Sequence, residues 1–362
     1  MSPRSRSEAH DPAAQWEALR KVAIVGAASL KGGELKDALE ERKFPTVDVK
    51  LLDDDESLGR IDAVGDEATF VLSTLPDSFH GVDFAFFACE PEFTRKHWQS
   101  ARDAGATIID LSYGLEAEAG AALRAPWVEK ELAADGVLSG DSSARLQVVA
   151  HPAAIVLEVL LIRAQRAGRL RVAVANVFEP ASERGRRGMD ELHQQTVNLL
   201  SFQPLPKSVF DAQVAFNMLS RYGPEARPLE PVEQRVLRHF AGIMRPIGPA
   251  APTPVPVPLL MLLQAPTFHS YAVSLYIEFE KGPGLDAVVE ALAGERVSVT
   301  QGAEDTPSNV SAAGQSEIQV RVRSDAQREP GFWLWAVADN LKVAGLNAVE
   351  CAETSTLLQP IQ

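Results

Sequence analysis

Apolar and polar stretches alternate differently in the two halves of the chain. In the first 150 residues, short apolar runs are separated by segments in which apolar residues recur every three or four positions. The apolar runs are Lys21–Gly26, Val47–Leu52, Asp83–Ala88 and Thr107–Leu111. A helical pattern containing Leu35 and Leu39 follows the first run, and another covers residues 92–104. Strands that alternate with helices in this way predict a parallel, doubly wound sheet.

From residue 169 onward, longer runs alternate apolar and polar residues at every second position, as in Arg169–Val177 and Tyr271–Glu278. This alternation is typical of strands with one buried face and one free face. We therefore expect an open mixed or antiparallel sheet whose second face is covered by helices or by a partner. The proline-rich segment Pro252–Pro258 predicts a stiff connector, and the last helix is predicted over Phe332–Leu346.

Composition narrows the class of protein. The chain has 362 residues, enough for two domains, and a formal net charge of −14. This charge argues against nonspecific binding to nucleic acid or to an anionic membrane, because both require a cationic surface. Two cysteines give no disulfide framework and favour a reducing, cytoplasmic compartment. No apolar run has the length of a membrane span, and residues 1–20 are expected to be a flexible, polar lead-in without a signal-peptide core.

Four segments carry a resemblance to a known family. They are Gly26–Gly32 (GAASLKG), Ser182–Leu192 (SERGRRGMDEL), Val214–Leu219 (VAFNML) and Val337–Val349 (VADNLKVAGLNAV). Together they resemble the aspartate-semialdehyde dehydrogenases. The resemblance implies an α/β chain with a Rossmann-like dinucleotide-binding domain over residues 21–150 and an α+β mixed-sheet dimerisation domain over residues 151–330. A C-terminal helix within residues 331–362 would return to the first domain, and the protein would be a homodimer.

The family's nucleophile is missing from this sequence. Residues 146–160 read LQVVAHPAAIVLEVL, an apolar strand followed by a helix that begins at a proline. Members of the family have Asn-Pro-Asn-Cys at this junction, and His151–Ala154 (HPAA) stands in its place. Ala154 then occupies the cysteine position, and a methyl group cannot form a thioester.

The dinucleotide turn is altered as well. Gly26 and Gly32 keep the outer glycines of the family's turn, whereas Ser29 replaces the middle one. The turn could still approach a pyrophosphate at a helix N-terminus, or it could be purely structural. After the second strand, Asp53–Glu56 would repel an adenosine 2′-phosphate, while Asp53 could bond a ribose hydroxyl. The run favours NAD over NADP, but it could also be a solvated acidic turn on a protein that binds neither.

Three positions of the implied substrate pocket also depart from the family. Glu116 occupies the place of an arginine that binds substrate phosphate, and Gln264 stands where an arginine for the substrate carboxylate is common. Arg235 corresponds to a lysine of the substrate-binding helix. Alternatively, Glu116 is a solvated loop carboxylate and Arg235 lies on a solvated helix face.

The remaining candidates concern the base and the thiol. The resemblance places Tyr271 at the family's histidine, and His269 two residues earlier would share its face if both lie on a strand. His269 could instead be a sheet or interface residue. Cys89, after the third strand, could be a relocated nucleophile, although Glu90 would raise the pKa of its thiol. A small buried thiol is the alternative.

These substitutions lead to two hypotheses. The first is a catalytically degenerate homologue, a homodimeric binding or scaffold protein with an NAD-like pocket or none. The second is an active NAD(P)-dependent semialdehyde dehydrogenase or reductase of amino-acid biosynthesis with a displaced nucleophile. No metal site is expected, and the small-molecule ligand is unidentified.

Overall fold

The central strands of the first sheet are buried on both faces. The computed structural model describes residues 19–54, 56–64, 67–137, 139–226, 228–244, 255–302, 306–328 and 330–358. The sheet's strands are β1 (Arg20–Val25), β2 (Thr46–Asp53), β5 (Leu72–Ser73), β6 (Phe84–Phe87), β7 (Thr107–Asp110), β8 (Ala122–Arg124) and β9 (Leu146–Val149). Their order is β5-β2-β1-β6-β7-β9-β8, and every pairing is parallel.

Helices cover both faces of this sheet. They are α1 (Leu30–Glu41), α2 (Pro91–Asp103) and α3 (Pro126–Ala134), and a hairpin of β3 (Ile61–Val64) and β4 (Glu67–Phe70) precedes β5. Successive strand residues enter different cores: Ile24 packs in the core that contains α1, and Val25 packs in the core that contains Trp98 of α2. The parallel, doubly wound sheet expected from the sequence is therefore confirmed.

The second sheet mixes parallel and antiparallel pairs. Its strands are β10 (Leu170–Glu179), β11 (Leu259–Gln264), β12 (Tyr271–Phe279), β13 (Val297–Thr300), β14 (Ile318–Ser324) and β15 (Gly331–Ala338), in the order β11-β10-β12-β15-β14-β13. β10–β11 and β13–β14 are parallel, and the other pairs are antiparallel. This arrangement confirms the predicted mixed sheet.

The remaining helices lie in the chain after β9, the last strand of the first sheet. They are α4 (Pro152–Ala167), α5 (Gly185–Leu200), α6 (Glu230–Ile243), α7 (Leu285–Leu292), α8 (Asn309–Ala312) and α9 (Asn340–Leu358). α9 packs against α1, where Lys342 forms an ion pair with Glu34 and Arg42 forms one with Glu353. Within the described residues, none of the helices combines the length and apolar character that a membrane crossing requires.

The prediction of a helix over Phe332–Leu346 is wrong for its first half. Residues 331–338 form β15, which lies between β12 and β14, and the helix begins at Asn340. The error arises because β15 is apolar on both faces, so its sequence lacks the alternation that marked the other strands. Asp339 accepts hydrogen bonds from the N–H groups of Leu341 and Lys342 and so starts the helix. The domain boundary expected between residues 330 and 331 therefore separates β15 from the sheet to which it belongs.

The predicted proline-rich connector is only partly within the described residues. Positions 252–254 lie outside them, and residues 255–258 lead into β11 without regular secondary structure. Both cysteines, Cys89 and Cys351, are free, as the sequence indicated.

Candidate functional site

The candidate site lies at the carboxyl ends of β1, β7 and β9, where α4 and α6 approach the first sheet. His151 is the N-cap of α4, and its Nδ1 accepts a hydrogen bond from the N–H of Ala153 at 3.3 Å. Pro152 is the first helical residue, which suits its fixed φ and missing N–H. Ala154 follows in the first turn and is fully buried. The strand-to-helix junction predicted from the sequence is present, and a methyl group occupies its third helical position.

The ring of Tyr113 fills the centre of the site. Its centroid lies 5.6 Å from the ring of His151 and 5.7 Å from that of His239. Two cations flank it, with Lys31 Nζ at 4.9 Å and Arg235 Cζ at 4.8 Å from the centroid. Tyr113 has a φ of +64°, an uncommon conformation for a bulky residue that costs on the order of 1 kcal/mol.

The turn that carries Tyr113 is fixed by Asp110. One oxygen of this buried carboxylate accepts hydrogen bonds from the N–H and hydroxyl of Ser112 at 2.7 and 2.6 Å. The other accepts the N–H of Leu115 at 2.9 Å. Gly114 is needed here because a Cβ would lie 2.8 Å from the carbonyl oxygen of Pro91. These contacts keep Tyr113 in its strained backbone conformation.

Glu116 is bound by three donors of α6. Its Oε1 lies 2.5 Å from Arg235 Nε and 3.0 Å from His239 Nε2, and its Oε2 lies 3.5 Å from Arg238 Nη2. Burial opposes ionisation, but the hydrogen bond with His239 and the charge of Arg235 outweigh it and lower the pKa of Glu116. Glu116 and Arg235 are each other's ion-pair partners, and about a quarter of each side chain remains exposed.

The hydrogen bonds assign the tautomer of His239. The backbone N–H of His151 donates to His239 Nδ1 at 2.9 Å, so the ring proton lies on Nε2 and is donated to Glu116. His151 is fully enclosed, and burial, reinforced by the charges of Lys31 and Arg235, keeps its pKa well below the usual value. Sequence reasoning named His151 only as part of the HPAA junction and gave no role to His239 or Tyr113.

The dinucleotide turn uses its donors within the chain. Ser29 caps α1, because its Oγ accepts the N–H of Gly32 at 2.9 Å and donates to the carbonyl of Ala88 at 2.9 Å. Asp53 accepts the N–H of Ala28 at 2.8 Å. Lys31 donates to the carbonyl of Leu111 at 3.1 Å. The N–H of Gly32, which could have faced a phosphate, is therefore occupied.

The two outer glycines of the turn are required by packing. Gly26 has a φ of +86°, and a Cβ there would lie 2.7 Å from the backbone nitrogen of Cys89. At Gly32, a Cβ would lie 2.2 Å from the carbonyl oxygen of Gly26. The structure thus explains both glycines without a ligand. In the acidic run, Asp53 and Asp54 are described, whereas position 55 lies outside the described residues.

Cys89 is a packed thiol next to the turn. Its Sγ lies 3.2 Å from Thr94 Oγ1. Burial, aided by the charge of Asp110 and opposed by the Thr94 hydroxyl, raises the pKa of Cys89 to about 12. Burial, rather than the neighbouring Glu90, is therefore the main cause of the raised pKa. With this pKa, the Cys89 thiol is almost entirely protonated at neutral pH.

His269 does not share a strand face with Tyr271. β12 begins at Tyr271, and Ser270, between the two residues, has a φ of +70°. The assumption of a continuous strand is therefore wrong, and His269 lies in the preceding turn, half-buried. Tyr271 is fully buried and its ring lies 6.0 Å from that of His151.

Gln264 has no free amide group to offer a ligand. Its Oε1 accepts the hydroxyl of Tyr222, and its Nε2 donates to the carbonyls of Glu179 and Ala265 at 2.9 and 2.8 Å. The residue is fully buried at the end of β11. Its role in this chain is to tie β11 to β10 and to Tyr222.

Glu179 and Arg184 form a second charged pair that sequence reasoning missed. Glu179 is 1% exposed, and its Oε1 lies 3.5 Å from Arg184 Nη2. Burial raises the pKa of Glu179 to about 7, although the charge of Arg184 opposes the rise. The Arg184 guanidinium also lies 5.0 Å from the ring centroid of Tyr222. The sequence signal that could have identified Glu179 is its position as a charged residue at the end of the alternating strand β10. Across the described residues, no three metal-ligating side chains come together.

Both domains of the chain are similar to those of known proteins. Residues 21–136 match the family described as "Semialdehyde dehydrogenase, NAD binding domain", and residues 162–343 match "Semialdehyde dehydrogenase, dimerisation domain". A USG-1 protein homolog of Pseudomonas aeruginosa is 32% identical over 339 residues, which cover 92% of this chain and 96% of the relative. The aspartate-semialdehyde dehydrogenase of Rickettsia conorii is 27% identical over 348 residues, with the same coverage.

A solved structure agrees over nearly the whole fold. Aspartate semialdehyde dehydrogenase II from Vibrio cholerae, complexed with ASA, superposes with a TM-score of 0.80 at 25% identity. The match covers 93% of this chain and 98% of the Vibrio chain. Both domains therefore have the architecture of that enzyme.

Proposed function

The chain belongs to the semialdehyde dehydrogenase family, and on that premise we propose that it is a catalytically degenerate, homodimeric binding or scaffold protein. The observation that carries the proposal is Ala154 in the first turn of α4, following the strand-to-helix junction. Covalent catalysis on an aldehyde requires a nucleophile at the reacting carbon, and a methyl group supplies none.

The filled anion pocket supports the same proposal. An anionic substrate would have to displace Glu116 from Arg235, Arg238 and His239 before those donors could bind it. Hydrogen bonds to charged groups contribute about 1.5–3 kcal/mol each, so the displacement is costly. Glu116 thereby takes the place that a substrate phosphate or carboxylate would need.

A residual dinucleotide pocket would prefer NAD to NADP. Asp53 and Asp54 stand at the end of β2, near the turn that a dinucleotide would contact. Two unit charges 4 Å apart repel each other by about 1 kcal/mol in water, so each carboxylate disfavours a 2′-phosphate. The self-capped turn at Ser29 weakens binding of either cofactor.

Homodimerisation follows from the exposed apolar side chains of the second domain. Leu259 and Met261 of the edge strand β11 are 70% and 52% exposed, and Leu200 and Phe202 beyond α5 are 71% and 96% exposed. Large apolar side chains exposed on an edge strand and beyond a helix are suited to cover by a second copy of the chain. Light scattering should give about twice the monomer mass of 39.1 kDa, and a monomer would contradict this part of the proposal.

The decisive experiment is a turnover assay with aspartate semialdehyde, phosphate and NAD or NADP. The purified protein should show no reduction of either cofactor above the rate without protein. An active aspartate-semialdehyde dehydrogenase is the positive control. The Ala154→Cys variant should remain inactive, because Glu116 still occupies the anion pocket.

The competing hypothesis is an active semialdehyde dehydrogenase or reductase whose nucleophile has moved to Cys89. It predicts turnover by the wild-type protein and loss of turnover in Cys89→Ala with folding intact. That result would overturn the proposal of a degenerate protein.

A further inference from the structure

Two phenylalanines of the second domain combine an exposed ring with an unfavourable backbone conformation. Phe202, just after α5, is 96% exposed and has a φ of +55°, and Phe216 is 67% exposed with a φ of +57°. A positive φ is uncommon for a bulky residue and costs on the order of 1 kcal/mol, which a glycine would not incur. Because both rings are mostly exposed, packing within the described chain offsets little of this cost.

The segments that carry the two rings lack charged residues. No Asp, Glu, Lys or Arg occurs in residues 192–206 or in residues 212–220, whereas 23% of the whole chain is charged. Val197 and Leu200 lie one turn apart on the same face of α5 and are 43% and 71% exposed, and Met218 is 62% exposed. The cores of protein–protein interfaces are depleted of charged residues and enriched in aromatic residues and methionine. Both segments therefore have the composition of an interface.

Hydrogen bonds of Gln195 tie the two segments to each other. This residue of α5 is fully buried, and its Nε2 donates to the carbonyls of Pro206 and Ala212 at 2.7 and 2.9 Å. Its Oε1 accepts the N–H of Ala215 at 3.1 Å. Phe216 follows directly in the chain, so the end of α5 and the backbone beside Phe216 belong to one hydrogen-bonded unit of the domain.

We propose that Phe202 and Phe216 anchor the contact with a second copy of this chain. The inference rests on the homodimer of the proposed function and assigns it a surface. Two observations favour a second copy over another partner. Both residues lie within residues 162–343, which match the dimerisation domain. Two copies that each carry a net charge of −14 repel each other, so their closest approach is favoured where neither presents charged residues.

The free energy of burying the rings decides the size of the effect. Full burial of a phenylalanine side chain contributes about 1.5–3 kcal/mol, which exceeds a backbone strain on the order of 1 kcal/mol. Aromatic residues of this kind supply much of the binding energy in many interfaces. Removal of one ring should therefore weaken the dimer at least tenfold. The fold of each protomer should be unaffected, because the rings of Phe202 and Phe216 are mostly exposed there.

The test measures the dissociation constant of the dimer for the full-length chain by analytical ultracentrifugation over a dilution series. Phe202→Ala and Phe216→Ala should each raise this Kd at least tenfold. The matched control is Phe70→Ala, which should leave the Kd unchanged. Phe70 is also more than half exposed, at 58%, but it lies on β4 of the first domain. Circular dichroism should show the same secondary structure in all four proteins.

A labelling experiment applies even if the dimer does not dissociate on dilution. Phe202→Cys should react with a maleimide at least tenfold more slowly than Phe70→Cys, because the second copy covers position 202. Cys89 and Cys351 should add little background reaction, since burial raises the pKa of both thiols.

The outcomes separate this inference from the proposed function. If wild type is a dimer and both Phe→Ala variants keep its Kd, or if the two Cys variants react at equal rates, the inference is wrong and the homodimer stands. Equal weakening by Phe70→Ala would also overturn the inference, because the effect would not be specific to the second domain. A monomeric wild-type protein would contradict the homodimer of the proposed function itself.

Discussion

Glu116 and Glu179 are two carboxylates of one domain junction, each beside an arginine, yet their surroundings differ. Glu116 meets two arginines and a histidine, and its pKa is lowered in spite of burial. Glu179 meets one arginine at 3.5 Å, accepts no hydrogen bond among the described residues, and has a pKa of about 7. Glu116 is partly exposed and has three donors in reach, whereas Glu179 is fully buried and has one, and both differences separate their pKa values.

The comparison separates a filled half of the site, around Glu116, from a second half around Glu179. In the filled half, the turn with Tyr113 and Glu116 supplies an aromatic ring and an anion to groups that would otherwise face a ligand. In the other half, Glu179 is fully buried and has one cation, Arg184, at 3.5 Å. The two parts of one site thus differ in how far their charged groups are paired.

The largest expected effect is the pH dependence of Glu179. Its pKa rises from 4.5 to about 7 on folding, so between these values the folded protein binds the extra proton and stability falls as pH rises. The 2.5-unit difference corresponds to about 3 kcal/mol. Glu179→Leu should therefore gain about 3 kcal/mol relative to wild type between pH 4.5 and pH 8, measured by urea unfolding.

The charged groups that face Glu179 are Arg184, Glu183 and Lys31, and none of them changes in the variant. Glu34, whose pKa is also raised to about 7 by burial, contributes equally to both proteins and cancels. The exposed Glu118→Gln is the control. A constant stability difference between Glu179→Leu and wild type across this range would contradict the contrast between the two carboxylates.

The second effect concerns Glu116. Glu116→Gln leaves Arg235 and Arg238 without their counter-charge, and we expect a loss of about 2 kcal/mol in the free energy of unfolding at pH 7. Because the wild-type carboxylate has a lowered pKa, its contribution is present above the unfolded value and disappears as pH falls through the folded one.

An added anion should replace the missing carboxylate. Sulfate at 50 mM should restore part of the stability of Glu116→Gln by binding to the folded state. Glu118→Gln, two residues away and exposed, should show the sulfate response of the wild type. An equal response in all three proteins would mean that Glu116 does not occupy an anion site.

The sequence was informative where a residue's role depends on its neighbours along the chain. The alternation of strands and helices in the first domain and the proline-led start of α4 were predicted because they are local patterns. β15 was mistaken for a helix because apolar residues on both faces hide its period. Even so, its Phe332 and Trp335 pair with β12 as any strand residue would.

The candidate site was only partly predictable for a different reason. Ala154, Glu116 and Arg235 were singled out, but the ion pair between the last two spans 119 positions in the sequence. Tyr113 lies in the centre of the cluster because it adopts a positive φ. A bulky side chain disfavours this conformation, so there was no reason in the sequence to expect it. Partners that meet through tertiary structure are absent from any local pattern.

A smaller effect is expected at Tyr113. Tyr113→Gly loses the packing of a partly buried ring, about 2 kcal/mol, but relieves about 1 kcal/mol of backbone strain, so the net loss should be about 1 kcal/mol. The variant also removes the bridge between Lys31 and Arg235. We expect calorimetric titration to show tighter NADH binding than in wild type. Tyr113→Phe keeps the ring and should change neither property, and unchanged NADH binding in Tyr113→Gly would contradict the filled centre.

The smallest effect separates charge from hydrogen bonding at Asp53. An asparagine there still accepts the N–H of Ala28 but gives up the bond from the N–H of Asp54, so Asp53→Asn should cost about 0.5 kcal/mol of stability. It removes one of the charges that oppose a 2′-phosphate, which is about 1 kcal/mol or a fivefold change in affinity. The ratio of NADPH to NADH affinity, measured by calorimetry in the Tyr113→Gly background and without it, should therefore rise up to fivefold. An unchanged ratio would mean that Asp53 only holds the turn and does not select the cofactor. If neither cofactor binds in either background, a residual nucleotide pocket in the filled half is contradicted.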